Sequence, residues 1–244
     1  MIAGVPWVEL AVGIAAALVA GIVRGFSGFG SAMILTPALS VLYGPAVAVP
    51  ISLALELLVT VPLLPGSVRL VEWRRIGVLC LAAFATVPLG GWLLLSLSPL
   101  TMRVAISAVI LGFVAILAFG WRYHGRPTIA ATLATGAASG VLNGASGMAG
   151  PPVVFFYLSG RASAPQMRAS FIVYFALVDA VSVGVLAAMG ALDASTLGRA
   201  LWLTPVFLAA AWAGSRAFRH ASEAFYRRVA LAVLAAIALA SLAF

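Results

Sequence analysis

Gly21-Ile-Val-Arg24-Gly25-Phe-Ser27-Gly28-Phe-Gly30 and Gly140-Val-Leu-Asn143-Gly144-Ala-Ser146-Gly147-Met-Ala149 are two copies of one pattern, each set in an otherwise apolar stretch. Four positions agree: Gly21 with Gly140, Gly25 with Gly144, Ser27 with Ser146 and Gly28 with Gly147. Each copy lies near the start of a long hydrophobic half, and glycine and serine at such depths break or thin a helix. The chain therefore reads as two related halves, 1–125 and 126–244, that share one site.

Working outward, composition decides the solvent. Of 244 residues, 64% are hydrophobic and 8% charged, whereas about a quarter of a soluble domain is charged. The expectation is an all-α polytopic membrane protein. A bilayer core of about 30 Å takes about 20 helical residues, so the apolar length supplies on the order of eight to ten crossings. The first residues, Met1 to Glu9, lack the basic leader of a secretory signal, so the opening apolar run reads as a retained first helix. The formal charge of +8 falls mostly between apolar segments and reflects topology rather than a nucleic-acid partner. Cys80 has no partner for a disulfide, and the two histidines, His124 and His220, sit in basic loops. Neither a metal, a cofactor nor a structural disulfide is expected.

Glycine, proline and arginine clusters divide the chain into ten apolar segments: about 7–24, 31–43, 46–64, 76–97, 102–120, 128–143, 150–160, 166–190, 197–215 and 224–243. The second and seventh are too short to span comfortably. Each follows the glycine-rich pattern, so it pairs with the segment before it as a re-entrant hairpin or a broken helix, tolerated only where it lines a cavity or is buried in protein. Pro151-Pro152 suits the first turn of a helix that starts at the second pattern.

If the chain starts outside and crosses at every segment, Arg24, Arg69, Arg74, Arg75, Arg122, Arg126, Arg161, Arg168, Arg216, Arg219, Arg227 and Arg228 face the cytoplasm, and only Arg103 and Arg199 face out. Re-entrant pairs preserve this parity and change only the fate of Arg24. The bias predicts external termini and a bacterial inner-membrane location. Each half then has an odd number of crossings, so the two copies enter from opposite faces as inverted repeats of about five segments each. Pro45 with Pro165 and Arg103-Val104 with Arg228-Val229 extend the match, with a spacing that drifts from 119 (Gly21 to Gly140) to 125 residues (Arg103 to Arg228).

The chemistry follows from the breaks. The small-xxx-small pairs Gly21/Gly25 and Gly140/Gly144 either pack helices closely or line a pathway. Backbone N–H groups freed at a helix start, at Gly25, Gly28 and Gly30 in one copy and Gly144, Gly147 and Gly150 in the other, suit an anion. Ser27 and Ser146 either donate to the same ligand or satisfy a carbonyl of their own helix. Arg24 is the sharpest candidate, because a guanidinium beside a break grips a carboxylate, sulfonate or sulfite in a fork; the plainer reading is an arginine reaching the cytoplasmic interface. Asn143 holds the matching place with a neutral donor and acceptor. Glu56 and Asp179 lie within apolar helices, where an ionisable group is costly unless paired or hydrated. They are candidates for proton coupling or for a salt bridge to Arg24. Glu9 and Asp193 read as surface residues.

The paired patterns Gly25-Phe-Ser-Gly-Phe-Gly30 and Gly144-Ala-Ser-Gly-Met-Ala-Gly150, each followed by a proline-bearing apolar segment, resemble the TauE/SafE family of membrane transporters, also called the sulfite exporter or toluene sulfonate uptake permease family. The resemblance covers nearly the whole chain, with the basic loop Arg69 to Arg75. It departs at Phe26, Ser27 and Phe29 and at Ala145, Ser146 and Met148, which stand where the family usually has glycines. It implies a secondary transporter of small anions such as sulfite, sulfoacetate or related sulfonates and carboxylates, embedded in lipid. A passive anion channel would use the same pathway without alternating access. Gly25-Phe-Ser27-Gly28 and Gly144-Ala-Ser146-Gly147 also match the nucleophile motif of rhomboid-type intramembrane proteases. That chemistry needs a histidine base inside the membrane, where no predicted helix interior holds one, so no enzyme is expected.

Overall fold

The computed structural model describes residues 6–118, 128–158 and 162–219, with Ser222, Phe225 and Ala232 beyond them. Among these residues there is no strand. Helix α1 (Pro6–Ser27) opens on a proline, whose missing N–H is not needed in a first turn. It runs through Gly25 and ends where Gly28 and Gly30 take φ of +81° and +90°, a left-handed backbone that side chains with a Cβ resist. After this break the short α2 (Ala32–Tyr43) begins, and Gly44, at φ +81°, separates it from α3 (Pro45–Thr60). Short turns around α4 (Leu64–Ser67) continue the helical path of α3 to Leu70. Helices α5 (Trp73–Ser96) and α6 (Pro99–Ala118) follow.

Beyond residue 127 a long helix, a short one and two long ones follow in turn. Helix α7 (Ile129–Ser146) is capped by the Thr128 side chain and stopped by Gly147 at φ +73°. The short α8 (Gly150–Leu158) starts at the second pattern, as Pro151-Pro152 led us to expect. Then come α9 (Ala164–Ala188), which opens on a Ser163–Gln166 capping box, and α10 (Ala194–Arg219). Two boundaries differ from the sequence reading. The helical turns continue past Arg24 to Ser27 and past Asn143 to Ser146, because Gly25 and Gly144 are buried against a partner helix that stabilises the helical form. The segment expected at 224–243 lies, apart from Phe225 and Ala232, outside the described residues, as do Arg122, His124, Arg126, Arg161, His220, Arg227 and Arg228.

Among the described residues, five stretches are long and apolar enough to cross a bilayer: Trp7–Ser27, Pro45–Leu70, Trp73–Ser96, Ala164–Ala188 and Ala194–Arg219. Twenty-two residues of α1 reach about 33 Å at 1.5 Å each, whereas the twelve of α2 reach about 18 Å. Large apolar side chains such as Trp7, Leu81, Trp92 and Trp212 point outward. Charged and ion-paired groups such as Arg24 and Asp179 lie inside, which is the distribution a lipid solvent selects.

Packing is dominated by two helix pairs, α1 on α10 and α5 on α7. A Cβ on Gly25 would stand 1.9 Å from Ala211 O, and one on Gly21 2.7 Å from Phe207 O. In the other pair, a Cβ on Gly140 would stand 2.3 Å from Ala83 O and one on Gly144 2.3 Å from Val87 O. Helix axes approach this closely only where small residues face each other. Helices α3 and α9 meet between the two pairs.

Candidate functional site

The ends of α1 and α7 and the starts of α2 and α8 converge on one small cavity, lined by Gly30, Ala32, Met33, Gly147, Met148, Ala149 and Gly150 together with Arg24, Glu56, Phe175 and Asp179. It offers about 10 Å³, the room of a single water. The sequence separates these groups by up to 155 positions, and the two breaks bring them together.

Arg24 is 1% exposed, so it does not reach an interface. Its Nη1 lies 3.1 Å from Glu56 Oε2, and its Nη2 donates to Thr60 Oγ1 at 2.7 Å and lies 3.8 Å from Asp179 Oδ2. The guanidinium also sits 5.1 Å over the Phe175 ring, a favourable cation–π position at a buried site. The Thr60 hydroxyl donates in turn to the Glu56 backbone carbonyl at 2.6 Å, within its own helix. Ser31 precedes α2 in the place of a cap, yet its hydroxyl accepts no N–H from the helix and donates to Glu56 Oε1. Of the two roles open to Glu56 and Asp179 from sequence, the ion pairing with Arg24 is present.

Asn143 is fully buried and organises the second copy. Its Nδ2 donates to Asp179 Oδ1 at 3.0 Å and to Ser182 Oγ at 2.9 Å, and its Oδ1 accepts from Ala149 N at 3.2 Å. Ser139 donates to Ala149 O at 2.7 Å and fixes the same break. The Arg24–Thr60 and Asn143–Asp179 bonds both join residues 36 positions apart. In that register Thr60, not Glu56, matches Asp179, in keeping with the different distances of Glu56 and Asp179 from Pro45 and Pro165, 11 and 14 residues.

The remaining candidates divide. Gly28, Gly30, Gly147 and Gly150 form the breaks, whereas Gly25 and Gly144 sit on helix–helix contacts. Ser27 Oγ lies 2.7 Å from Val23 O and from Phe29 O, and Ser146 Oγ donates to Leu142 O at 2.7 Å. Sequence reasoning missed Ser31, Thr60, Phe175 and Ser182. A hydroxyl or ring on an apolar helix carries no mark of its own, although the recurring 36-residue separation points to Thr60. It also missed Arg168, whose Nε and Nη2 donate to Phe26 O and Gly25 O at 3.1 and 2.6 Å and hold the end of α1.

A wider cleft of about 380 Å³ lies at the opposite end of α1, among Glu9, Tyr43, Arg199 and Trp202. Tyr43 donates to Glu9 at 3.4 Å and Arg199 stacks on the Tyr43 ring. Asp193 caps α10 by accepting from Thr196 N at 2.7 Å, and the hydrogen bonds from Thr196 and Ser195 hold its carboxyl below the ordinary range.

Compared with known proteins, residues 13–241 match the family model described as Sulfite exporter TauE/SafE. Over 181 residues the chain is 29% identical to the Probable sulfite/organosulfonate exporter TauE of Cupriavidus necator, which spans 71% of this chain and 70% of that protein. No solved structure matches.

Proposed function

We propose, from the chain's membership of the sulfite exporter TauE/SafE family, that Arg24 is the anion-binding centre of an alternating-access carrier. The family is one of membrane transporters, not enzymes, and its substrates are sulfur anions. The finer reading is that the chain moves sulfite or a related sulfonate or carboxylate. Arg24 and Asn143 act as unequal contributors from two inverted halves, 1–125 and 126–244, with both termini outside the bacterial inner membrane. Support for two halves comes from the helix pairs: α1 on α10 repeats as α7 on α5, and the 36-residue link recurs in each half. The substrate-facing groups are Arg24, Gly28, Gly30, Asn143, Gly147 and Gly150, with Gly25, Ser27, Gly144 and Ser146 shaping the breaks that present them. Glu56 and Asp179 are the two candidates for the coupling group.

One observation carries this reading: a guanidinium 1% exposed lies where two helix starts meet. Two helix N-termini and a cation form a strong anion site. The cavity, closed to about one water, favours a carrier over a channel, because a conducting pore needs a continuous path.

Arg24→Lys tests the site without stranding the buried carboxylates, since it keeps the charge and loses only the fork. The variant is expected to elute as folded protein in detergent and to lose sulfite counterflow in proteoliposomes by about tenfold or more, as loss of over 1.4 kcal/mol implies. Unchanged, saturable counterflow would remove Arg24 from the centre. Non-saturable flux that ignores sulfite on the far side would favour a channel.

A further inference from the structure

The cavity joins one guanidinium to two carboxylates, and the two acids are held differently. Glu56 meets a donor on each oxygen, Arg24 on Oε2 and Ser31 on Oε1. Asp179 accepts from Asn143 on Oδ1, whereas its Oδ2 is buried without a hydrogen bond, 3.8 Å from Arg24 Nη2. Arg24 Nε is likewise buried without an acceptor. Both residues line the cavity.

Charge balance then constrains what enters. Arg24 and Glu56 cancel, and Asp179 faces the N-termini of α2 and α8, each worth roughly half a positive charge. The empty site is balanced with both acids ionised. A monoanion adds one uncompensated negative charge to a buried cavity of about 10 Å³, and an isolated buried charge costs several kcal/mol. A proton bound at Asp179 Oδ2 removes that charge. It also ends the attraction of Asp179 for Arg24 Nη2, which then joins the unpartnered Nε in gripping the arriving anion.

We propose that Asp179 is the proton-binding site of the carrier and takes up one proton for each monoanion bound at Arg24, so that anion and proton cross together one for one. Glu56 stays ionised as the fixed partner of Arg24. This rests on the anion-carrier reading above. In the balance, the proton enters as an O–H bond on Asp179 Oδ2 with the anion and leaves with it on the other side, and no net charge moves.

The charged groups facing Asp179 are Arg24 from α1 and Glu56 from α3, and α7 presents the uncharged Asn143. Tyr174 on α9 itself is the further titratable neighbour, with Cys80 of α5 and Tyr157 of α8 beside it. Thiol and phenol ordinarily titrate above about pH 8 and arginine stays charged, which leaves a carboxyl as the proton carrier, and of the two acids Asp179 is the one with a buried oxygen that has no hydrogen bond.

The test uses the full chain in proteoliposomes with the potential clamped by potassium and valinomycin. The probe is labelled methanesulfonate, a monoanion at every pH used, with sulfite counterflow as the check on transport itself. One unit of pH gradient, acid outside, is expected to drive about tenfold accumulation. An imposed potential is expected to drive none, and internal pyranine should report one proton per anion. Asp179→Asn should lose the pH-driven accumulation whatever exchange it retains, and Asp179→Glu should recover it. Accumulation that follows the potential, a proton count of zero, or pH-driven uptake persisting in Asp179→Asn would overturn the proposal and leave the carrier reading standing. The wild-type proton count decides even where a variant fails to fold. Absence of counterflow with either anion in wild type would instead remove the carrier reading.

Discussion

Asn143 shows how much one neutral side chain settles at the residue scale. It meets three partners at once, Asp179, Ser182 and the Ala149 N–H, and all three are buried. Asn143→Ala leaves each of them unmet. Interhelical hydrogen bonds in membranes average only about 0.6 kcal/mol, but an unsatisfied buried group costs about 1–3 kcal/mol, so the second effect dominates. The variant is expected to melt several degrees lower in detergent and to lose sulfite flux, whereas an unchanged melt would mean that the network relaxes freely. Asn143 and Arg24 were both legible in the sequence, because a repeated pattern exposes the one position where its copies differ in chemistry. Glu56 and Asp179 were legible from the cost of charge in an apolar helix. Ser31, Thr60 and Phe175 were not, since their residue types are ordinary inside a bundle and only the folded geometry turns them toward Arg24.

Between elements, contact distance decides which glycines matter. A methyl on Gly25 or Gly144 meets the partner helix's backbone at 1.9 or 2.3 Å, and backbone does not rotate away. Either Gly→Ala change therefore forces α1 from α10 or α7 from α5, at a cost of about 1–3 kcal/mol or more. Gly184 in α9 has nothing within 4 Å of such a methyl, so Gly184→Ala should be neutral or stabilising by up to about 1 kcal/mol on helix propensity. Melting of the three variants side by side checks this, and equal effects would remove close packing as the reason for the glycine spacing that the two patterns share. The helix ends carry a pH effect as well. The Asp193 carboxyl is held low by its capping bonds, so its contribution is present above the ordinary carboxylate range and is lost as pH falls through the lowered value. Amide exchange at Thr196 should quicken in acid and in Asp193→Ala, with no change at the Thr128 cap of α7. Nine of the ten expected segments appear as helices at nearly the expected limits, because apolar length and proline placement leave little choice in lipid. The exact breaks were not legible, since glycine reads as a helix breaker until a partner backbone fills the space beside it.

Across the molecule, the two most extensive helix contacts among the described residues both join helices from opposite sides of residue 125: α1 with α10, and α5 with α7. The site is divided in the same way, but unequally. The first half carries Arg24 with Glu56, Ser31 and Thr60 and so keeps its own ion pair. The second carries Asp179 with only Asn143 and depends on the first for its cation. A lone carboxylate at mid-helix costs about 2.5–3.5 kcal/mol on insertion scales, a large fraction of a domain's stability. Expressed separately, 126–244 should therefore be degraded faster than 1–125, and co-expression should recover both, together with sulfite counterflow. Asp179→Asn removes the unpaired charge and should lengthen the lifetime of the isolated second half several-fold, since 1–2 kcal/mol shifts abundance by that much. Pulse-chase labelling of the two fragments reads these lifetimes directly. Equal lifetimes, or no gain from Asp179→Asn, would mean that the exposed glycine faces of α1 and α7 rather than the orphaned carboxylate limit the survival of each half.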